Sequence, residues 1–213
     1  MPKVFHKKID AHSQLAIWEI TESAEELKDL LQLSEAETAF AESLSGKFRL
    51  KHWLSSRALL RELLQTERFI HMESDGNGKP FLVDIEKEIS MSHSGYYAAV
   101  MVGNSSCGID IERLRPGKIE KLIGKFIHPD DIRQLPKDNR EVACFLHWCV
   151  KEAVYKKHGK LKLNFKNDIR LMQSKEVGKE GSGQVKVHLG NAQEVQYPFH
   201  YFTFRDYLLA YVS

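Results

Sequence analysis

The sequence predicts an α+β protein built from two similar α/β units, and three patterns carry that prediction. In the first half an apolar strand, "LAIWEI" at 15–20, leads through short helices to a long helix holding Trp53. In the second half "GIDIE" at 108–112 leads in the same way to a long helix holding Trp148. The tail, "GQVKVHLGNAQEVQYPFHYFTFRDYLLAYVS", alternates polar with apolar and aromatic residues, the two-residue period of strands, and reads as a β-meander turning at Gly190-Asn191. Strand-to-tryptophan spacing is similar in the two halves, as a duplicated unit would give. The expected division is an N-terminal unit at 1–105 and a C-terminal unit at 106–213.

The remaining elements follow in order. Residues 23–31 read as a polar helix, and Ser34 with Glu37 spells a capping box that opens the next one. The segment 47–66 is an amphipathic helix whose apolar surface comes from Trp53, Leu54, Ala58, Leu60, Leu63 and Leu64. Asp75-Gly76 and Asn77-Gly78 are turn signals. The run at 88–103 reads as two strands broken at Ser94-Gly95, and "CGIDIERLRP" as a strand that stops before Pro116. A helix is expected over 118–126, then a loop and short helix punctuated by Pro129 and Pro136. A long helix over 139–158 should stop at Gly159.

The chain has 213 residues, 42% of them hydrophobic, which is enough to bury a sizeable core. A net charge of +2, with no basic stripe interleaved with aromatics, argues against nucleic acid as the partner. No stretch is apolar enough for a membrane span, and the opening residues lack the apolar core of a signal peptide. Three cysteines, Cys107, Cys144 and Cys149, do not make a disulfide framework, and a reducing cytoplasm is expected. The Cys144–Cys149 spacing is too sparse for a zinc site.

Four segments carry chemistry. Alternation along "GIDIE" puts Asp110 and Glu112 on one strand face and Ile109 and Ile111 on the other. Two carboxylates on one face repel unless a cation lies between them, and a hard divalent ion is one solution, an ordinary wet face the other. On the later helix Trp148, Glu152 and Lys156 share a face at steps of four. Glu152 is then a candidate third carboxylate and Lys156 a candidate phosphate ligand, although a simple Glu–Lys helix pair has the same spacing. Ser92 and His93 end a strand at a turn, where hydroxyl and imidazole can meet phosphate oxygens or simply cap the turn. Lys79 follows a glycine turn that lacks the Walker pattern. Arg57 and Arg61 stack on one face of the first long helix, with Arg49 earlier, and this is a phosphate-binding or a solvated basic face.

Taken in order, "GKP" at 78–80, "SHS" at 92–94, "GIDIE" at 108–112 and "WCVKEAVYKKHG" at 148–159 resemble the surfactin-type 4′-phosphopantetheinyl transferases, in the branch named for its W and KEA residues. The resemblance covers about residues 49–160 and implies two α/β subdomains related by a pseudo-twofold, with coenzyme A in the cleft between them. It implies Mg²⁺ held by Asp110, Glu112 and Glu152. It implies coenzyme A contacts from His93, Ser92 and Lys79, from Arg61, Arg57 and Arg49 toward the 3′-phosphate, and from Lys156 toward the pyrophosphate, with Lys151 assisting. The sequence departs from the family's pattern in three places: Asp130 or Asp131 stands in for a usual Glu, Leu161 for a Gly, and Ser56 for a common Gly.

The expected reaction is transfer of phosphopantetheine from coenzyme A to a serine of an apo acyl or peptidyl carrier protein, releasing 3′,5′-ADP. Glu152 is the first choice of base, with Lys156 and Asp110 as its catalytic partners. A basic strip at 118–125 suits an acidic carrier, and a monomer suffices. The rival readings are a metal-dependent hydrolase of coenzyme A or another nucleotide pyrophosphate, and a carrier-binding module without chemistry.

Overall fold

The computed structural model describes residues 2–159, 162–172, 177–190 and 193–213. The chain forms two compact units, one comprising the residues through Asp75 with Pro80–Ser105, the other Gly76–Lys79 with Ser106–Ser213.

The first unit contains β1 (Lys3–Lys8), β2 (Gln14–Glu19), α1 (Ala24–Asp29), α2 (Glu35–Ser43), α3 (Lys47–Leu64), β3 (Met72–Ser74), β4 (Pro80–Leu82), β5 (Glu88–Ser94) and β6 (Tyr97–Gly103). Its antiparallel sheet runs β1-β2-β6-β5. Helix α3 lies on that sheet, and Leu54, Leu59, Leu60 and Leu63 pack with Ala16, Trp18, Ala98 and Val100. Both short helices open with a complete capping box, Ser23 with Glu26 and Ser34 with Glu37. The sequence reading did not anticipate β1 or the β3–β4 hairpin. Strand β1, "KVFHKK", sits at the sheet edge, where lysines deter further pairing and hide the usual apolar strand signal.

The second unit contains β7 (Gly108–Arg113), a 3₁₀ turn (Ile119–Leu122), α4 (Ile123–Phe126), α5 (Pro129–Gln134), α6 (Arg140–His158), β8 (Ile169–Met172), β9 (Glu180–His188), β10 (Glu194–Phe204) and β11 (Tyr207–Val212). Its antiparallel sheet runs β7-β11-β10-β9-β8, so β7 pairs with the last strand of the chain. Helix α6 covers the sheet, with Ala143, Leu146, Cys149, Val150 and Ala153 in its core. It stops where expected, at Gly159, whose φ of 66° suits glycine. Gly190 has φ 84°, also a turn conformation; Asn191 and Leu161 lie outside the described residues. Among the described residues no helix is long and apolar enough to cross a membrane.

Candidate active site

The register between β7 and β11 decides where the carboxylates go. Asp110 lies opposite Ala210 and Glu112 opposite Leu208. Directly opposed residues share a face, and Leu208 and Ala210 belong to the core beneath α6 with Cys149 and Ala153. The alternation expected from "GIDIE" therefore holds, but the carboxylate face is turned toward the helix rather than toward open water. Ile109 and Ile111, on the opposite face, are fully buried as well. Gly108 sets the spacing. A Cβ there would lie 1.8 Å from the Ala153 carbonyl oxygen and 3.0 Å from the Lys157 nitrogen, so only glycine lets β7 approach α6 this closely.

Three residues of α6 meet this face at intervals of three and four. Lys156 Nζ donates to Asp110 Oδ1 at 2.7 Å and to the Ile109 carbonyl at 3.0 Å. The Asp110 side chain is 6% exposed. Glu152 lies one turn earlier. Burial pushes its carboxyl up to about 7, and the negative charge of Asp110 and Glu112 pushes in the same direction against the pull of Lys156. The buried Cys149 thiol donates to the Leu208 carbonyl at 3.8 Å, and burial, with the negative charge of Asp110 and Glu112 acting in the same direction, raises it well above the ordinary thiol range. Trp148, on the same helix, packs edge-on against Phe126 with centroids 5.2 Å apart and tilts against Phe165.

The chemistry of these donors fits a hard divalent cation. All three candidate ligands are carboxylates; Glu152 is raised first by burial and then by the charge of Asp110 and Glu112, and an ion would offset both. Among the described residues no group of three His, Cys, Asp or Glu side chains is drawn together as a finished metal site.

The other expected residues are distributed as follows. Lys79 Nζ donates to Ser106 Oγ at 3.1 Å and to the Lys157 carbonyl at 3.2 Å, at the C-terminal end of α6, where the helix dipole favours a cation. His93 is exposed at the end of β5 while its neighbour Ser92 is buried, the alternation of a strand. The His93 ring stacks on His52 of α3 with centroids 4.3 Å apart, and His52 Nε2 donates to the Gly95 carbonyl at 2.7 Å. Sequence reasoning missed His52 because nothing in its local pattern distinguishes it, and it missed Cys149 because a buried cysteine on a helix reads as core.

Two basic residues depart from the expectation. Lys151 does not join Lys156. Its side chain is fully buried, donating to the carbonyls of Phe165 and Ile169, and burial lowers its ammonium to about 7. One helix position separates it by about 100° from Glu152, which is why adjacent residues of "KEA" serve different surroundings. Arg57 is also engaged inside its own unit. Its guanidinium lies 3.5 Å above the Trp53 ring and 3.4 Å from Glu37. Arg61 donates to the Glu67 carbonyl and carboxylate, while Arg49 is exposed. Replacing Arg57 by Ala will lower stability by about 1–2 kcal/mol in urea denaturation. A loss of coenzyme A affinity in a variant of unchanged stability would return Arg57 to a phosphate role. Asp131, one of the two stand-ins for the family's Glu, accepts two hydrogen bonds from Arg170, both at 2.7 Å, and Asp130 pairs with Arg133.

Comparison with known proteins bears on the same segment. Residues 106–212 match the family model described as the 4′-phosphopantetheinyl transferase superfamily. The chain is 33% identical over 110 residues to a 4′-phosphopantetheinyl transferase of Bacillus pumilus, covering 49% of this chain and 46% of that one. It is 32% identical over 117 residues to one of Aneurinibacillus migulanus, covering 49% and 48%. It is 28% identical over 163 residues to the 4′-phosphopantetheinyl transferase HetI of a Nostoc strain, covering 68% and 69%. The chain thus spans about half the length of the Bacillus pumilus and Aneurinibacillus relatives.

Proposed function

This chain belongs to the 4′-phosphopantetheinyl transferase superfamily, and from that premise we propose that it moves the phosphopantetheine arm of coenzyme A onto a serine of an apo acyl or peptidyl carrier protein. The observation that carries the reading is the cluster of Asp110, Glu112, Glu152 and Lys156 where β7 meets α6, inside the segment that matches the family.

In the proposed reaction the carrier serine oxygen forms a bond to the β-phosphorus of coenzyme A. The bond from that phosphorus to the 3′,5′-ADP oxygen breaks. The serine hydroxyl proton passes to Glu152, the carboxylate of α6 that faces Asp110 and Glu112. Lys156 stabilises the departing pyrophosphate-side oxygen, leaving Asp110 to orient it through the 2.7 Å contact until substrate arrives. Asp110, Glu112 and Glu152 would hold Mg²⁺, which when bound neutralises charge on the phosphoryl oxygens. Toward coenzyme A we assign Arg49, Arg61, Ser92 and His93 of the first unit, and Lys79 and Lys156 of the second. We also assign carrier docking to the basic stretch at 118–125, where Leu122 is exposed among lysines.

The test is the intact mass of apo carrier proteins incubated with this chain, coenzyme A and Mg²⁺, with and without EDTA. The expected result is a gain of one phosphopantetheine only where metal is present. Carriers left unmodified while phosphopantetheine is released into solution would replace transfer by hydrolysis. No change in either, across fatty acid, polyketide and peptide carriers, would overturn the proposal.

A further inference from the structure

A concavity of the C-terminal unit, lined in part by Asp131, shares no lining residue with the carboxylate cluster of β7 and α6. It has a volume of about 900 Å³ and is walled by α5, α6 and the strands β8 to β10. That is within the size range of small-molecule sites, which run from roughly 300 to 1,000 Å³. None of Asp110, Glu112, Glu152, Lys156 and Lys79 lines it.

One side chain in its wall is unusual. His147 is 3% exposed, and its Nδ1 is buried with no hydrogen-bond partner among the described residues. A buried polar nitrogen left without a partner costs stability, so it calls for an explanation. Burial keeps this ring neutral, with the positive charge of Lys151 and Arg170 acting in the same direction. A neutral imidazole beside cations offers one N–H and no charge of its own.

The polar groups around it are left with donors to spare. Arg170 gives Nε and Nη2 to Asp131, both at 2.7 Å, an arrangement that fixes the guanidinium plane and does not use Nη1. Lys186 is paired with Glu194 at 2.8 Å, and Arg133 with Asp130. The carboxylates that reach the cavity, Asp131 and Glu194, are matched by Arg170 and Lys186, and Arg133 in the wall is matched by Asp130. Water alone would satisfy one nitrogen. A cavity of this volume, with a fixed guanidinium whose Nη1 is uncommitted and a buried imidazole without a partner, is suited to a ligand larger than water whose oxygens accept hydrogen bonds.

We propose that this cavity is a second ligand site, which takes a small organic oxyanion, a carboxylate or a phosphate, through Arg170 Nη1 and the His147 ring. Arg133, paired with Asp130, and Lys186, paired with Glu194, line its mouth. The site rests on residues of the C-terminal unit alone and does not depend on the transferase reading.

The test follows the histidine ring resonances of the ¹⁵N-labelled protein as inorganic phosphate and, separately, succinate are added, with the His147 signals assigned by their loss in His147→Gln. The expected result is a saturable shift of His147 with at least one probe, half complete at roughly 1–10 mM, which is weak affinity for a site offered only a fragment of its ligand. A shift with phosphate alone identifies a phosphorylated ligand, and one with succinate alone a carboxylate. Arg170→Lys keeps a cation for Asp131 but loses the fork, and should weaken binding about tenfold. Should that variant not fold, Lys186→Gln at the partly exposed mouth should weaken it about threefold through the lost charge. No saturable shift with either probe up to about 50 mM, or a shift of equal midpoint in the Arg170→Lys or Lys186→Gln protein, would overturn the proposal.

Discussion

Replacing Asp110 with Asn will reduce carrier modification by roughly a thousandfold, while the melting temperature stays within about 4 °C of the unchanged chain. The substitution keeps the shape of the side chain and removes one negative charge from the point where Lys156 and Glu152 converge. Phosphoryl transfer depends almost wholly on positioning and on electrostatic stabilisation, so an uncharged neighbour at this position affects the barrier more than it affects folding. Lys156 retains the Ile109 carbonyl at 3.0 Å, and its side chain is 27% exposed, so water can replace the lost contact. Heat of binding should report the same change a second way, because coenzyme A with Mg²⁺ should bind the variant more weakly. Full activity in a folded Asp110→Asn protein would remove Asp110 from the catalytic centre.

Gly108→Ala should act through the fold instead. The new methyl would meet the Ala153 carbonyl oxygen at 1.8 Å, and that atom belongs to helix backbone, which cannot rotate away as a side chain would. Strand β7 must then move off α6, carrying Asp110 and Glu112 away from Glu152 and Lys156. The expected cost is about 3 kcal/mol or more, read as a fall of roughly 10 °C in melting temperature, with transferase activity lost alongside. Unchanged stability would mean that β7 and α6 are not packed at this distance in solution.

The comparison of these two variants shows how the site is built. Asp110 and Glu112 were legible as a pair from strand alternation alone, and Glu152 with Lys156 from helical spacing. The capping box at Ser34, the helix stop at Gly159 and the turn at Ser94-Gly95 were legible for the same reason, since each is decided by a few neighbouring residues. The resemblance to the family supplied the grouping of the four motifs. It did not distinguish Lys151 from Lys156, because a motif records order along the chain and not which side of a helix is buried. The buried position of Lys151 against the Phe165 and Ile169 carbonyls depends on a segment that returns to the helix after it ends.

By itself, then, the sequence determined what is local: which stretches are helix or strand, where they stop, and which chemical groups share one face. Only the tertiary structure decided which faces meet. Pairing β7 with the distant β11 turned the carboxylates toward α6, and the missing Cβ of Gly108 let the two elements close. Arg57 settled on Trp53 and Glu37 rather than facing open solvent, and His147 was buried beside Lys151 and Arg170. The physical reason is common to all of these. Backbone periodicity acts over a few residues, whereas burial and charge depend on partners that the chain brings together only when it folds.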